Sequence, residues 1–171
     1  MDRMSSIEFA IRNEQTEKAY YLGEARRTSN PVARTLFEEL ARDEDEHMRR
    51  LVTLHDKLKA DGGWPKDLPL EVAGTDIKKK LKALTRDALG AVAHDLSDLE
   101  AMRKAEGFEA SGAKFYKELA AACSDPRERS FFELLSGIEG EHLASVRDSI
   151  FYLEDPGGWL AAKERSGLDG A

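Results

Sequence analysis

The chain has 171 residues, which is enough for one domain with a sizeable core and too few for two full-sized domains. Its 33 acidic and 26 basic side chains leave a net charge of −7, which argues against nucleic acid or an anionic membrane surface as a partner. The single cysteine, Cys123, excludes an intrachain disulfide, a CxxC redox pair and a thiolate-built metal cluster. The amino terminus lacks the apolar stretch of a signal peptide, and no apolar run approaches the ~18 residues of a membrane span, so we expect a cytoplasmic protein.

Four long segments of the chain have the composition and the boundary residues of helices. Capping boxes at Ser5 and Ser97 predict the starts of the first and third helices. A connector rich in Pro and Gly follows the second helix, and the basic segment 75–94 after it predicts a shorter helix that Gly90 could interrupt. No segment alternates with a period of two for long enough to predict a strand, so the predicted fold class is all-α. The four long helices are predicted over residues 5–28, 31–60, 97–122 and 126–153.

The first two predicted helices are repeated in the last two. Thirteen of the 38 residues from 10 to 47 are identical to the residue 95 positions later, where random pairing would give roughly two. Two repeated hairpins joined by a long crossover, residues 61–96, predict a ferritin-like four-helix bundle with an approximate internal two-fold axis. We expect one domain over 1–155 and a carboxy-terminal tail over 156–171. The identical residues of the first copy are Ala10, Glu14, Tyr21, Ala25, Ser29, Pro31, Arg34, Phe37, Glu38, Leu40, Glu44, Glu46 and His47.

Several of the repeated polar residues fall on the apolar faces of the predicted helices. Glu44 and His47 lie three positions apart within a stripe of leucines on the second helix. Glu139 and His142 have the same spacing within an apolar stripe on the fourth helix, and Glu109 shares a face with apolar residues of the third. These side chains are therefore predicted to point towards the core of the bundle.

Ionised carboxylates in a protein core need compensating positive charge, because each uncompensated charge costs several kcal/mol. Glu14 and Glu109, with a Glu-x-x-His pair from each of the other two helices, form the ligand set of di-iron and di-manganese carboxylate bundles. Carboxylate and imidazole together suit two divalent transition ions better than Mg²⁺ or Ca²⁺. A lone Glu-x-x-His is usually a solvated surface pair, but two copies in register within apolar stripes favour a metal site.

Three further residues are candidates for the same centre. Glu106 lies three positions before Glu109 and has no acidic counterpart in the first copy, so it would add a seventh ligand and make the site asymmetric. Tyr21 and Tyr116 are either ordinary core aromatics or hydrogen-bond donors to the ligand carboxylates, and both interpretations stay open. The predicted metal ligands are Glu14, Glu44, His47, Glu106, Glu109, Glu139 and His142.

These motifs resemble the rubrerythrin family, within the ferritin-like superfamily. The resemblance covers both hairpins, roughly residues 5–153, and rests on Glu14 seven residues before Tyr21, on the two Glu-x-x-His pairs and on Glu106 three residues before Glu109. It implies a centre of two iron ions, for which Mn or Zn could substitute. By this resemblance, one iron is held by Glu14, Glu44 and Glu109, with His47 replacing Glu109 on redox change, and the other by Glu106, Glu139 and His142, with Glu44 and Glu139 as bridges.

The resemblance also implies a function. Family members reduce hydrogen peroxide at a diferrous centre, protect cells against oxidative stress and usually form dimers. We therefore expect a homodimeric non-haem di-iron oxidoreductase that acts on hydrogen peroxide or O2. Rubrerythrins proper carry a rubredoxin domain with four cysteines, which this chain lacks, so electrons would come from an external donor such as a rubredoxin-like protein. Two alternatives stay open, a non-catalytic iron-binding or iron-sensing protein and an iron-storage protein.

Overall fold

Six α-helices make up most of the chain that the computed structural model describes, which is residues 3–65, 75–87 and 96–168. The helices are α1 (Arg3–Arg27), α2 (Pro31–Asp61), α3 (Ile77–Asp87), α4 (Leu96–Ala122), α5 (Pro126–Glu154) and α6 (Pro156–Leu168). α1 packs on α2 and α4 packs on α5 as two hairpins, which meet through α2 with α5 and through α1 with α4. These three ranges contain no strand, so the predicted all-α, ferritin-like bundle is confirmed. None of the described helices combines the length and the apolar composition needed to cross a membrane.

The turns within the two hairpins are built alike. Asn30 and Asp125, which the repeat aligns, are the N-caps of α2 and α5, and each side chain accepts hydrogen bonds from two backbone N–H groups of the first helical turn. A proline follows each cap, where its missing N–H costs no helical hydrogen bond. Arg34 and Arg129, also aligned, each donate to the backbone carbonyl six residues earlier. The repeat in sequence is therefore a repeat in local structure.

The two predicted capping boxes do not begin helices. α1 already includes Arg3 and α4 already includes Leu96, so Ser5 and Ser97 lie inside their helices. The Ser97 hydroxyl accepts a hydrogen bond from Arg27 Nη1 at 2.7 Å, which joins the end of α1 to the start of α4. A contact between helices has taken the place of the predicted cap.

The core of the bundle consists of two apolar clusters with a polar layer between them. One cluster contains Tyr21, Phe37 and the carboxy-terminal part of α5. The other contains Tyr116, Phe132 and the carboxy-terminal part of α2. Each long helix runs from one cluster to the other, so it crosses the polar layer near its middle. The two clusters close the layer off from water at both ends.

Two shorter helices flank α5. α3, from the predicted crossover, packs against α2 and α5 and buries Ile77 and Leu81 in the first apolar cluster. α6, from the predicted tail, packs against α5 through Trp159, whose ring centroid lies 5.2 Å from that of Tyr152. The predicted interruption at Gly90 lies outside the described residues.

Replacing Asp125 with Ala is expected to lower the free energy of unfolding by about 1 kcal/mol, because two N–H groups at the start of α5 lose their acceptor. Asp125→Asn keeps an acceptor oxygen in the same place and should retain most of this stability. Urea unfolding followed by circular dichroism measures both variants. Equal losses in the two variants would show that the side chain stabilises the turn by something other than capping.

Candidate metal centre

The polar layer between the two apolar clusters is made by six of the predicted ligands. α1 and α4 each contribute one carboxylate, and α2 and α5 each contribute a Glu-x-x-His pair. A spacing of three residues on a helix points both members of each pair in nearly the same direction. The exposed fractions are 3% for Glu14, 0% for Glu44, 1% for His47, 0% for Glu109, 1% for Glu139 and 0% for His142.

The donor atoms of these side chains form two overlapping groups, within each of which one atom per residue lies within 4.8 Å of the others. The first group contains Glu14, Glu44, His47 and Glu139. His47 Nδ1 lies 3.0 Å from a Glu44 oxygen, 3.2 Å from Glu139 and 3.4 Å from Glu14. One imidazole nitrogen and three carboxylates thus face a single point.

The second group contains Glu44, Glu109, Glu139 and His142. His142 Nδ1 lies 3.3 Å from Glu109, 3.4 Å from Glu44 and 3.9 Å from Glu139. Glu44 and Glu139 belong to both groups, so each lies where a carboxylate could bridge two ions. The ring centroids of His47 and His142, one in each group, lie 5.6 Å apart.

The structure places two residues differently from the assignment that the resemblance implies. Glu109 lies with His142 across the α4–α5 hairpin, whereas the implied assignment places it with Glu14. Glu106 is in neither group: its carboxylate accepts a hydrogen bond from Arg147 Nε at 2.7 Å, and its side chain is 30% exposed. Three residues correspond to a rotation of about 60° around the helix axis, and for Glu106 this rotation turns the side chain out of the layer.

Tyr21 and Tyr116 form a reciprocal pair of hydrogen bonds across the bundle. The Tyr21 hydroxyl, on α1, donates to Glu109 Oε1 on α4 at 2.6 Å. The Tyr116 hydroxyl, on α4, donates to Glu14 Oε1 on α1. Burial, together with the charges of these carboxylates, raises the pKa of both tyrosines well above 10, so both hydroxyls keep their protons. These contacts favour the second of the two interpretations, hydrogen bonding to ligand carboxylates.

Asp43 is a further residue of the site that the predicted set does not include. Its Oδ2 lies 3.2 Å from Nε2 of His142, the ring nitrogen that faces away from the cluster. A carboxylate in this position fixes the orientation and tautomer of a metal-binding histidine. Burial alone would raise the pKa of Asp43, but hydrogen bonds with His142 and Thr75 hold it below its usual value. The repeat carries no sign of this contact, because the counterpart of Asp43 is Ile138.

Glu17 is a second acidic residue near the layer; it lies outside the predicted set and, like Glu106, outside both donor groups. Its side chain is half-buried, and burial together with the charges of Glu44 and Glu14 raises its pKa to about 9. Glu17 lies three residues after Glu14 and four before Tyr21, a spacing that places all three on one face of α1. That spacing is a sequence signal that could have identified it.

The cluster has more buried ligand atoms than the described residues satisfy with hydrogen bonds. Buried polar atoms rarely lack a partner. Carboxylate oxygens and an imidazole nitrogen around two adjacent points are donors suited to divalent transition ions. The residues of the layer therefore fit a two-metal carboxylate centre. The unpartnered atoms are Glu14 Oε2, Glu44 Oε1, Glu109 Oε2, both carboxylate oxygens of Glu139 and His142 Nδ1.

Protons provide the positive charge of this layer when no metal is bound. Burial, and next the charge of Glu44, raises the pKa of Glu14 to about 8 and that of Glu139 well above its usual value. Burial acts to lower the pKa of His47 and His142, but the surrounding carboxylates outweigh it and raise both. Glu44 is instead held ionised, since the adjacent His142 and His47 lower its pKa against the effect of burial.

Two repeated helical hairpins around a buried cluster of glutamates and histidines define a ferritin-like protein with a site able to hold two metal ions. A scan against protein-family models matches Rubrerythrin over residues 6–150. The chain therefore belongs to the rubrerythrin family, as its motifs predict, and the buried cluster is the counterpart of that family's di-iron site. Comparisons with curated proteins and with solved structures found no match.

The metal-free chain is expected to lose stability as the pH rises from about 5 to about 9. Glu14 and Glu17 have folded-state pKa values of about 8 and about 9, above the usual 4.5, so the folded chain binds more protons than the unfolded chain. The raised pKa values of His47 and His142 act with the same sign above pH 6.5.

Bound metal would replace these protons, so the stability of the metal-loaded protein should change less between pH 5 and pH 9. Scanning calorimetry at several pH values measures the difference, and we expect Tm of the metal-free form to fall by at least about 5 °C. A Tm of the metal-free form that rises over this range would contradict the assignment of the protons.

Asp43→Asn is expected to weaken metal binding by about 10-fold or more, because an amide holds the His142 ring less firmly than a carboxylate. Asp45→Asn is a matched control on the same helix, since Asp45 pairs with Lys18 and Arg49 outside the cluster. Anaerobic titration with Co(II) measures the affinity of each variant. Equal weakening in both would assign the effect to net charge, not to the orientation of His142.

Proposed function

We propose that this protein is a non-haem di-iron carboxylate oxidoreductase that reduces hydrogen peroxide, or O2, with electrons from an external donor. The observation that carries the proposal is the pair of overlapping donor groups that share Glu44 and Glu139. Two shared carboxylates can hold two ions close enough together to act on one small molecule. The family to which the chain belongs supports iron as the metal.

Two bound Fe(II) ions would supply the two electrons that, with two protons, convert hydrogen peroxide into two molecules of water. This chemistry requires a metal that changes its oxidation state, which zinc does not do. Mixed carboxylate and imidazole donors also suit iron and manganese. The choice of iron over manganese rests on the family.

The two tyrosines have a defined task in this proposal, which is to orient the terminal carboxylates. Tyr116 donates to Oε1 of Glu14, and Oε2 of that residue is left without a partner. Tyr21 donates to Oε1 of Glu109, and Oε2 there is likewise unpartnered. Each tyrosine thereby presents a single carboxylate oxygen to the cluster. Because both hydroxyls stay protonated, these hydrogen bonds persist at neutral pH.

The protein also limits what can reach the cluster. Apolar residues close the polar layer on both sides, and none of the six clustered residues is more than 3% exposed. Only a small molecule could reach donors buried to this extent without opening the bundle. This burial favours hydrogen peroxide or O2 over a larger organic substrate. It also strengthens the electrostatic interactions within the layer, because water is excluded.

The electrons for repeated turnover are proposed to come from another molecule. The chain has one cysteine, Cys123, and burial raises the pKa of its thiol to about 11, so it stays protonated and poorly reactive. A rubredoxin-like protein is the donor that we propose, together with a homodimeric assembly, in line with the family resemblance. Removal of oxidants from the cytoplasm is the physiological role that this activity would serve.

Stopped-flow mixing of the anaerobic diferrous protein with hydrogen peroxide tests the proposed function. The ferric absorption should appear at a rate that depends on the peroxide concentration and should disappear again when a reductant is added. Oxidation no faster than that of free Fe(II) would overturn the oxidoreductase and favour a non-catalytic iron-binding protein. A cage-sized particle in size-exclusion chromatography would instead favour iron storage.

Replacing either shared carboxylate, Glu44→Ala or Glu139→Ala, is expected to abolish binding of both ions together, because each residue belongs to both donor groups. Glu46→Ala and Glu141→Ala are matched controls two residues further along the same helices, and they should still bind two ions. Iron analysis after anaerobic loading and desalting measures the stoichiometry. Retention of two ions in either shared-carboxylate variant would refute the bridging assignment.

A further inference from the structure

We propose that Glu17, on α1, is the carboxylate that completes the metal centre, in the role that the resemblance implies for Glu106. The proposal rests on the two-metal centre proposed above and adds one ligand residue to it. It is carried by the internal repeat, by the geometry around Gly112 and by the charges that act on Glu17.

The repeat aligns Glu17 with Gly112, and it aligns Glu44 with Glu139. A Cβ built on Gly112 would lie 3.2 Å from Glu139 Oε2, so this position on α4 directly adjoins a shared carboxylate. Because the two hairpins are copies, we infer that the equivalent position on α1 lies beside Glu44. The residue at that position is Glu17, whose side chain is long enough to reach the donor atoms of the layer.

The charges that act on Glu17 agree with this position. Glu44 exerts the largest charge interaction on Glu17, followed by Glu14 and Glu109. Of the three, Glu44 belongs to both donor groups, and Glu14 and Glu109 belong to one each. Glu17 is thus near the layer but belongs to neither donor group, so the proposal requires its side chain to turn towards the ions when they bind.

The position of the tyrosines shows that residues 17 and 106 lie on different sides of their helices. On α1, Glu17 lies between Glu14 and Tyr21, and both of these side chains contact the layer. On α4, Glu106 lies on the other side of Glu109 from Tyr116, about 120° around the helix from position 112. Its carboxylate is already engaged by an arginine of α5.

A fifth carboxylate also balances the charge of a centre that changes by two electrons. With Glu17, five ionised carboxylates carry −5, against +4 for two Fe(II) ions and +6 for two Fe(III) ions. The net charge of the layer would then be −1 with two Fe(II) ions and +1 with two Fe(III) ions. With four carboxylates it would be 0 and +2. Because buried net charge is costly, the fifth carboxylate favours the oxidised form. A half-buried side chain can also move towards or away from the ions, which a fully buried one cannot.

Anaerobic Co(II) titration of Glu17→Gln and Glu106→Gln, with competition by a chelator, tests the proposal. Each change removes one carboxylate three residues from a clustered glutamate, so the two variants are matched. Glu17→Gln should bind one of the two Co(II) ions about 10-fold or more weakly. It should also change the visible d–d absorption of bound Co(II), which reports the number of ligands. Glu106→Gln should match the wild-type protein in both measurements.

Wild-type affinity and spectrum in Glu17→Gln, or weakened binding in Glu106→Gln alone, would overturn the assignment. Glu17→Asp keeps a carboxylate, so a partial recovery of affinity relative to Glu17→Gln supports binding by the side chain. Thermal unfolding of the metal-free variants tests whether a loss of Co(II) affinity comes from a loss of folding. The two proposals can fail separately. If the wild-type protein binds two Co(II) ions but its diferrous form does not react with peroxide, the proposed activity is refuted and the ligand assignment is not. Failure of the wild type to bind two ions would overturn both.

Discussion

Buried negative charge is the constraint on which the rest of this structure depends. Four carboxylates share one layer of the bundle with two imidazoles, and apolar clusters close that layer on both sides. An uncompensated charge in such a place costs several kcal/mol, so the layer must be filled by protons or by metal ions. The raised pKa values of Glu14 and Glu139, and the buried oxygen atoms without partners, are two consequences of this single requirement. Burial of the apolar clusters offsets the free energy that the buried polar layer costs.

The features predicted from the sequence are those that depend on local periodicity or on the repeat. The starts of α2 and α5 are predicted at Pro31 and Pro126, because a proline at the first helical position acts within a single turn. The six clustered ligands follow from their place within apolar stripes, because a helix that packs on another must bury that stripe. The pairing of the hairpins follows from the 95-residue repeat, which requires that two equivalent units bury equivalent faces.

The features that the sequence did not predict depend on the rotation of a helix or on contacts between distant helices. Glu106 and Glu17 both lie three residues from a ligand, and only the position of the tyrosine on each helix distinguishes the two directions of rotation by about 60°. The contact between Asp43 and His142 joins residues 99 positions apart on α2 and α5, and the second copy of the repeat has no equivalent. Ser97 shows the same limit: its local pattern suits a cap, but Arg27 from another helix decides its contact.

The repeat is broken where the two halves of the centre would need to differ. Asp43 holds the outer nitrogen of His142, whereas Ile138, its counterpart, has no atom that could hold His47 in this way. Position 17 carries a carboxylate, whereas position 112 is a glycine against which Glu139 packs. A bundle with perfect two-fold symmetry would give two ions identical surroundings. These substitutions instead give one histidine a fixed orientation and place an additional, half-buried carboxylate on one side only. With two metal ions bound, an unequal pair of sites of this kind would allow the side chains around one ion to stay in place while those around the other adjust to a change in charge.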